Sequence, residues 1–214
     1  MRKLSFTSLV FILVTFFVVQ LSAQTFGAGI HLGFNASQID GDDSYGFNRL
    51  GLAAGISGII HITERSGIAT EILFSQRGSR NKLLPDNANV VGGVGLNYVE
   101  VPVYYTIDDW KVTDDDENDF YKMQFGVGLS YGRLMNHKIE NDFINTEVAN
   151  LFNKNDISWL LQGSFRWSNH WSASVRFTSG RWISKLFDAD KNRISINSKD
   201  LLSYFFTFRL NYLF

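Results

Sequence analysis

The sequence contains no cysteine and only two prolines in 214 residues, and its formal net charge is −1. The lack of cysteine excludes disulfides, thiolate metal sites and a lipidated N-terminal cysteine. The near-zero charge gives no electrostatic basis for binding nucleic acid. Aromatic residues make up 15% of the chain, and there are 18 glycines. This composition, with so little proline, favours many β-strands over helices.

The N-terminal segment has the features of a secretory signal peptide. Arg2 and Lys3 precede a long apolar stretch, and the small residue Ala23 follows it. This order predicts a signal peptide of residues 1–23 and an exported mature domain of residues 24–214, without a linker or second domain. A retained membrane-anchor helix is the alternative. No later run of about 18 apolar residues follows, so no further membrane-spanning helix is expected.

Apolar residues alternate with small or polar ones along most of the mature chain. Alternation of this kind predicts β-strands, and eight segments show it: 25–35, 50–62, 67–77, 96–107, 121–132, 157–167, 171–180 and 201–214. Long polar connections follow the first, third, fifth and seventh segments, whereas the second and sixth end in short turns. The acidic 108–119 connection breaks this rule, because a short turn is expected there. The rhythm predicts an all-β, eight-stranded, antiparallel up-and-down barrel.

The non-apolar face of the strands indicates which side faces lipid. It consists largely of glycine and serine, which suit the cramped interior of a barrel with about eight strands. A soluble barrel would instead have a charged outer face. The apolar face is therefore expected to meet lipid, as in a transmembrane barrel. Four aromatic residues near the short-turn rim are predicted to form a belt at the membrane interface: Trp110, Tyr121, Trp167 and Trp171.

Charged residues within the strands fall on the interior face. Glu71 and Glu100 are predicted to pair with Arg176 and Arg209, because a buried charge without a partner is costly. The favoured interpretation is a structural plug, and a gated ion or proton path is the alternative. In a membrane, every backbone amide needs a partner, so the last strand is expected to pair with the first.

Two parts of the sequence resemble known outer-membrane proteins. The alternating residues Phe206, Phe208, Leu210, Tyr212 and Phe214 resemble the C-terminal signal that the barrel-assembly machinery reads in bacterial outer-membrane barrels. The stretches EILFSQRG (71–78) and LNYVEVP (96–102) resemble strands of the PorT-like outer-membrane β-barrel family of Bacteroidetes-type bacteria. This resemblance implies an outer-membrane location and an accessory role in protein secretion.

The sequence offers no convergent catalytic set. His31, His61, His137 and His170 are distributed over separate strands and both rims, so we expect a non-enzymatic protein without a cofactor. The residues Asp114, Asp116 and Asn118 could suggest a calcium loop, but the glycine and glutamate of such a loop are missing, and a solvated acidic turn is favoured.

The long loops are the expected place for an interaction role. Within the fifth connection, Ile144, Val148 and Leu151 have the spacing of a short amphipathic helix. Packing of this loop on its own rim is an equally good interpretation. The alternatives to a structural or interaction role are a secretion accessory, a lipid-modifying enzyme and a narrow pore. The expected partners are outer-membrane lipid, the barrel-assembly machinery and loop-binding proteins, and the barrel is expected to be monomeric.

Overall fold

The computed structural model describes residues 26–42, 44–83, 92–113, 119–141, 149–188 and 200–214. These ranges contain eight strands: β1 (Phe26–Asp40), β2 (Arg49–Thr63), β3 (Ser66–Arg80), β4 (Gly93–Thr113), β5 (Asp119–Glu140), β6 (Asn155–Arg166), β7 (Trp171–Ser179) and β8 (Leu202–Leu213). Three earlier predictions lie outside the described residues: the signal peptide, the 114–118 acidic set, and Ile144 and Val148 of the loop helix. Within these ranges, no helix is long and apolar enough to cross a membrane.

The strands close into an antiparallel barrel in sequence order. β1 pairs with β8 from Gly29↔Leu213 to Asp40↔Leu202, so the last strand has a hydrogen-bonded neighbour on each side. The predicted eight-stranded up-and-down barrel is therefore confirmed. Closure also explains why β8 stays apolar along its length, because it pairs with a neighbouring strand on both edges and forms part of the barrel wall.

The two faces of each strand have opposite character. In β1, Ile30, Leu32 and Phe34 are 48%, 62% and 47% exposed, whereas the intervening His31 and Asn35 are 7% and 0% exposed. The large apolar side chains thus cover the outside, and polar side chains fill the bore. In water, such an exposed apolar surface would be a liability. In a bilayer it is the surface that the hydrocarbon requires.

The fourth and fifth strands are longer than the alternation predicted. The predicted long 108–119 connection is wrong, because the ladder continues through Lys111↔Tyr121 and Thr113↔Asp119. β4 and β5 thus form a hairpin beyond the short-turn rim. Lys111 Nζ lies 2.7 Å from Asp119 Oδ2. The hydrogen bonds from Lys111 and Thr113 lower the pKa of Asp119.

The segment after β7 completes the wall at the loop end. β7 ends at Ser179, so it does not reach the upper part of β6. The Ile157 amide instead donates to Ser184 Oγ, and the Asn153 amide donates to the Leu186 carbonyl. On the other side, Leu186 and Phe187 donate to the Leu201 carbonyl. Residues 180–188 therefore cover the strand edge that the short β7 leaves unpaired.

The main apolar core lies under the loops. It is one cluster that joins β1, β4 and β5 to the β5–β6 and β7–β8 connections: Ile39, Val94, Leu96, Tyr98, Leu134, Ala149, Phe152, Leu186, Phe187 and Leu201. Burial of these side chains on each other stabilises the loop end through the hydrophobic effect. The bore is consequently filled by apolar side chains at this end and by polar side chains at its centre.

Single-cysteine labelling tests the orientation of this barrel. Short turns of outer-membrane barrels face the periplasm, and long loops face outward. The chain has no natural cysteine, so Tyr45→Cys, at a loop residue that is 84% exposed, gives one reactive thiol at the loop end. We expect a membrane-impermeant maleimide to label it on intact cells. The exposed Thr113 gives the matched variant, Thr113→Cys, which should react only after the outer membrane is permeabilised. The reverse pattern would contradict this orientation.

Candidate functional site

A buried cluster of charged residues blocks the centre of the bore. Glu71 Oε1 lies 2.6 Å from Arg176 Nη2, and Glu71 Oε2 lies 2.7 Å from Arg209 Nη1. Both arginines also donate to Gln162 Oε1 at 2.6 Å, and the Tyr104 hydroxyl donates to Glu71 Oε1 at 2.6 Å. We call these five residues the central cluster: Glu71, Tyr104, Gln162, Arg176 and Arg209. Charge-assisted hydrogen bonds of this kind are the strong ones.

The strand register explains how the central cluster forms. β7 and β8 are neighbours, and the pairs Arg176↔Thr207 and Ser174↔Arg209 place the two arginines two residues apart on the bore face. Glu71 reaches them across the bore from β3. The structure therefore brings Glu71 together with Arg176 and Arg209, as the sequence pattern predicted.

Glu100 has a different partner from the one expected. It does not join Arg176 or Arg209 in an ion pair but lies 3.7 Å from Arg77 Nη1. The pair Leu73↔Glu100 places it nearer the loop end than Glu71, and Arg77 lies on that side. Alternation assigns a side chain to the bore but not to a level along it, so the predicted pairing of Glu100 is wrong for this reason.

Asp156 is an interior acid that the alternation did not reveal. Its Oδ2 accepts from Arg77 Nη2 at 2.6 Å and from Ser158 Oγ at 3.0 Å, and its Oδ1 accepts from Ser184 Oγ. Arg77 also lies 3.7 Å from the Tyr98 ring centroid. Asp156 was assigned to a loop, but it alternates with the buried Ser158, which is the signal that could have revealed it.

The predicted interface aromatics divide into two groups. Trp167 and Trp171 are 48% and 40% exposed, and Tyr121 is half-buried. The Trp171 ring packs edge-on against Tyr212 at 5.1 Å. Trp110 and Tyr121 are separate, because both lie in the β4–β5 hairpin beyond the rim. Trp110 has a φ of 59° and stacks under Lys122 at 5.2 Å. The structure thus does not group these two residues with Trp167 and Trp171 at the short-turn rim.

The outer face of β8 forms a continuous aromatic surface with its neighbours. Phe208 stacks on Phe34 of β1 at 5.2 Å, and Phe206 contacts Phe177 of β7 at 5.0 Å. Leu210 is 46% exposed, and the Tyr212 and Phe214 rings are 5.5 Å apart. The last residue also belongs to the wall, because its amide donates to the Ala28 carbonyl at 2.9 Å. Recognition of this surface by the assembly machinery stays a prediction.

A groove opens at the loop end between β5 and the segment before β6. Its volume is about 320 Å³, and it is lined by Leu134, Met135, Asn136, His137, Ala149, Asn150, Phe152 and Lys154. We call it the loop-end groove. The His137 ring packs edge-on against Phe152 at 5.6 Å, and Met135 is 63% exposed. The groove therefore presents an apolar floor and an accessible thioether on a surface otherwise rich in polar groups.

A triad of charged residues also lies at the loop end. Glu140 accepts from Arg49 Nη1 at 3.0 Å and from Arg80 Nη2 at 3.1 Å. Partial burial raises the pKa of Glu140, but the two arginine hydrogen bonds outweigh it and the net pKa is lowered. This triad ties the loop ends of β2, β3 and β5 together.

The described residues contain no group of three or more His, Cys, Asp or Glu side chains that could hold a metal ion. At the loop end, His137 packs on Phe152, and Glu140 accepts hydrogen bonds from Arg49 and Arg80. His170 stacks on Tyr212 at 5.6 Å at the opposite rim. These contacts are structural and do not converge on a shared point.

Comparisons with solved structures return proteins of low sequence identity. Two are crystal structures of Ail, the attachment invasion locus protein of Yersinia pestis, one of them in complex with the heparin analogue sucrose octasulfate. That complex shares 11% identity at a TM-score of 0.44, covering 88% of this chain and 99% of that chain. The other shares 12% identity at a TM-score of 0.43, covering 88% and 98%. The fold assignment comes from the strand pairing of this chain and not from this likeness. No curated protein matches the chain.

A family model gives the decisive comparison. The model for the outer membrane protein beta-barrel domain matches residues 20–181, which is more than half of the chain. The match includes β1 to β7, and the closed barrel with an apolar outer face agrees with it. The predicted outer-membrane location is thereby confirmed. The chain belongs to the outer membrane protein β-barrel domain family.

Proposed function

We propose that this protein is a non-enzymatic outer-membrane anchor that binds a partner through its loop-end groove. The observation that carries the proposal is the groove itself: a depression of about 320 Å³ with mixed polar and apolar lining, on the end that we expect to face away from the cell. Apolar depressions with polar surroundings are typical interaction sites. The barrel supplies a fixed membrane position and the loop end supplies the contact surface.

The loop end is held in place before any partner binds. Ala149 and Phe152, which line the groove, are 0% and 6% exposed because they also belong to the apolar core. Leu186 and Phe187 pack on the same core from the β7–β8 connection. A surface ordered in advance loses less conformational entropy on binding. This arrangement favours binding over a purely structural role.

Site-specific photo-cross-linking tests this proposal. A photoreactive phenylalanine analogue at Met135, beside the groove, should form a defined adduct on intact cells. The matched position is Leu161, which is 50% exposed on the lipid-facing side of β6. We expect adducts with lipid and no protein adduct there. An absence of protein adducts at both positions would contradict an interaction role for the groove.

The filled bore leads us to expect no conductance. Any ion path must cross the apolar core at the loop end and the central cluster, where Arg176 and Glu71 are 2% and 1% exposed. Eight strands leave an interior just wide enough for side chains. Planar-bilayer recordings of the folded protein should therefore show no single-channel steps. Regular steps would favour the narrow pore over the anchor.

An accessory role in secretion is the finer proposal that follows from the PorT-like resemblance. The two stretches that carry it, 71–78 and 96–102, lie side by side on β3 and β4. They supply Glu71, Arg77 and Glu100 to the bore, so the resemblance concerns the packing of the barrel interior. The loops, which are not part of the resemblance, can carry a role specific to this protein. Deletion of the gene tests it: loss of surface export of secreted proteins, restored by the intact gene, supports the role. Normal export would contradict it.

A further inference from the structure

The half of the bore on the short-turn side holds an open cavity. Its volume is about 730 Å³, and all eight strands contribute to its wall. The lining extends from Arg209 and Gln162 of the central cluster to Thr63 and Asn169 at the rim. Ligand cavities of drug-sized molecules have volumes of this order. A small solute from the periplasm can therefore be accommodated below the central cluster.

His31 provides an unused hydrogen-bond acceptor in this wall. It is 7% exposed, and its Nδ1 lies 2.9 Å from Asn211 Oδ1. The Asn211 amide nitrogen donates to Ser172 and Ser174, so its oxygen faces the ring and Nδ1 carries the hydrogen of the neutral imidazole. Nε2 then holds a lone pair and has no hydrogen-bond partner among the described residues. Glu71 Oε1 lies 4.0 Å from Nε2, beyond hydrogen-bond distance.

Arg166 provides an open cationic group in the same cavity. Its half-buried guanidinium forms no ion pair within 4.0 Å in the described part of the chain, and Asp108 is the acidic residue that acts on it at longer range. Asp108 itself accepts a hydrogen bond from Gln124 Nε2 at 2.9 Å. An arginine with free donors is suited to bind a carboxylate in a bidentate manner.

The other charged groups of the lining are either engaged or lie at the rim. Lys111 pairs with Asp119 at 2.7 Å, and Lys122 lies over the Trp110 ring at 5.2 Å. Glu64 is exposed in the β2–β3 turn. Arg209 is bound to the carboxylate of the central cluster. Arg166 is therefore the cation most open to a ligand along this wall.

One side of the cavity wall is apolar. Ile59 packs on a small cluster that contains Ala69, and both line the cavity. Phe120 lines a different part of the cavity, in the β4–β5 hairpin, where it pairs with Val112. The cavity thus combines an apolar wall, a free guanidinium and a buried lone pair.

We propose that this cavity binds a small hydroxycarboxylate with an apolar body that enters from the periplasm. The carboxylate would bind Arg166, the hydroxyl would donate to His31 Nε2, and the apolar body would pack on Ile59 and Ala69. Both polar groups are needed, because a buried partner left without its hydrogen bond is costly. This site lies at the opposite end from the loop-end groove, and the two proposals stand independently.

Calorimetric titration of the folded full-length barrel with two matched probes tests the site. We expect 3-phenyllactate to bind and 3-phenylpropionate, which lacks only the hydroxyl, to bind about tenfold more weakly, the size of effect that one hydrogen-bond partner gives. Arg166→Gln should weaken both probes about tenfold or more, since a charge-assisted bond is lost. Arg133→Gln, at an exposed position of β5 outside the cavity lining, is the control and should bind as the unaltered protein does.

Three outcomes would overturn the proposal. Equal affinity of the protein for the two probes would show that His31 does not bind the hydroxyl. Equal affinity of the Arg166→Gln and unaltered proteins for the probes would show that Arg166 does not bind the carboxylate. No heat of binding for either probe would also reject the site. Because the probe comparison uses the unaltered protein, it decides the question even if Arg166→Gln does not fold.

Discussion

Replacing Glu71 by glutamine is expected to destabilise the barrel by roughly 3–5 kcal/mol, the cost of removing one partner from a buried ion pair. Glu71 is 1% exposed and is the carboxylate that binds both Arg176 and Arg209. Glutamine keeps the shape and one acceptor oxygen but removes the negative charge, so two buried guanidinium groups lose their counter-charge. The measurement is the free energy of unfolding in guanidinium chloride, from reversible refolding in lipid or detergent.

Glu140→Gln is the matched control for this variant. Glu140 also binds two arginines, Arg49 and Arg80, but its side chain is 19% exposed at the loop end. Water screens such pairs, and we expect a loss of about 1 kcal/mol or less. The two variants remove the same charge from the same kind of triad and differ in burial. Equal losses of stability would show that burial does not set the strength of the central cluster.

The barrel architecture could be predicted from the sequence alone because the two faces of each strand meet different environments. Lipid selects bulky apolar side chains at one set of alternate positions, and the narrow bore selects small or polar ones at the other. The alternation of Ile30, Leu32 and Phe34 with His31 and Asn35 shows the rule. Such a signal identifies each strand without reference to its neighbours.

The strand ends were not predictable in the same way. Beyond the bilayer, the outer face of a strand meets water and no longer needs bulky apolar side chains, so the alternation disappears. The upper part of β5, from Arg133 to Glu140, mixes apolar and polar residues without a two-residue period and was therefore interpreted as loop, although it pairs with β4. The hairpin at Lys111 and Asp119 was missed for the same reason.

The interior contacts were partly predictable. Alternation placed Glu71, Arg176 and Arg209 in the bore, and opposite charges in so narrow a space have few other partners. Alternation could not place Glu100 beside Arg77, because strand tilt and register decide which interior residues lie at the same height along the barrel axis. The loop-end groove was beyond sequence reasoning, since it depends on packing between β5 and a distant loop segment.

Replacing Gly33 by alanine is expected to strain the seam where the barrel closes. A Cβ at this position would meet the Phe208 carbonyl oxygen and would lie 2.8 Å from Arg209 Cα. Both atoms belong to the backbone of β8, so no side-chain rotation can relieve the contact and the strands must separate. Overpacking of this kind costs on the order of 1–3 kcal/mol and sometimes more. We expect less of the heat-modifiable closed form and faster hydrogen exchange at the β1–β8 amides.

Gly163→Ala is the matched substitution away from the seam. Gly163 lies in β6, and a Cβ there would meet nothing within 4 Å. An alanine at a compatible glycine position reduces the entropy of the unfolded chain, so this variant should be neutral or more stable by up to about 1 kcal/mol. The same added methyl group is thus expected to have opposite effects at the two sites. If Gly33→Ala left the exchange at Leu32, Phe34 and Phe208 unchanged, close backbone approach at the seam would not be what requires glycine there.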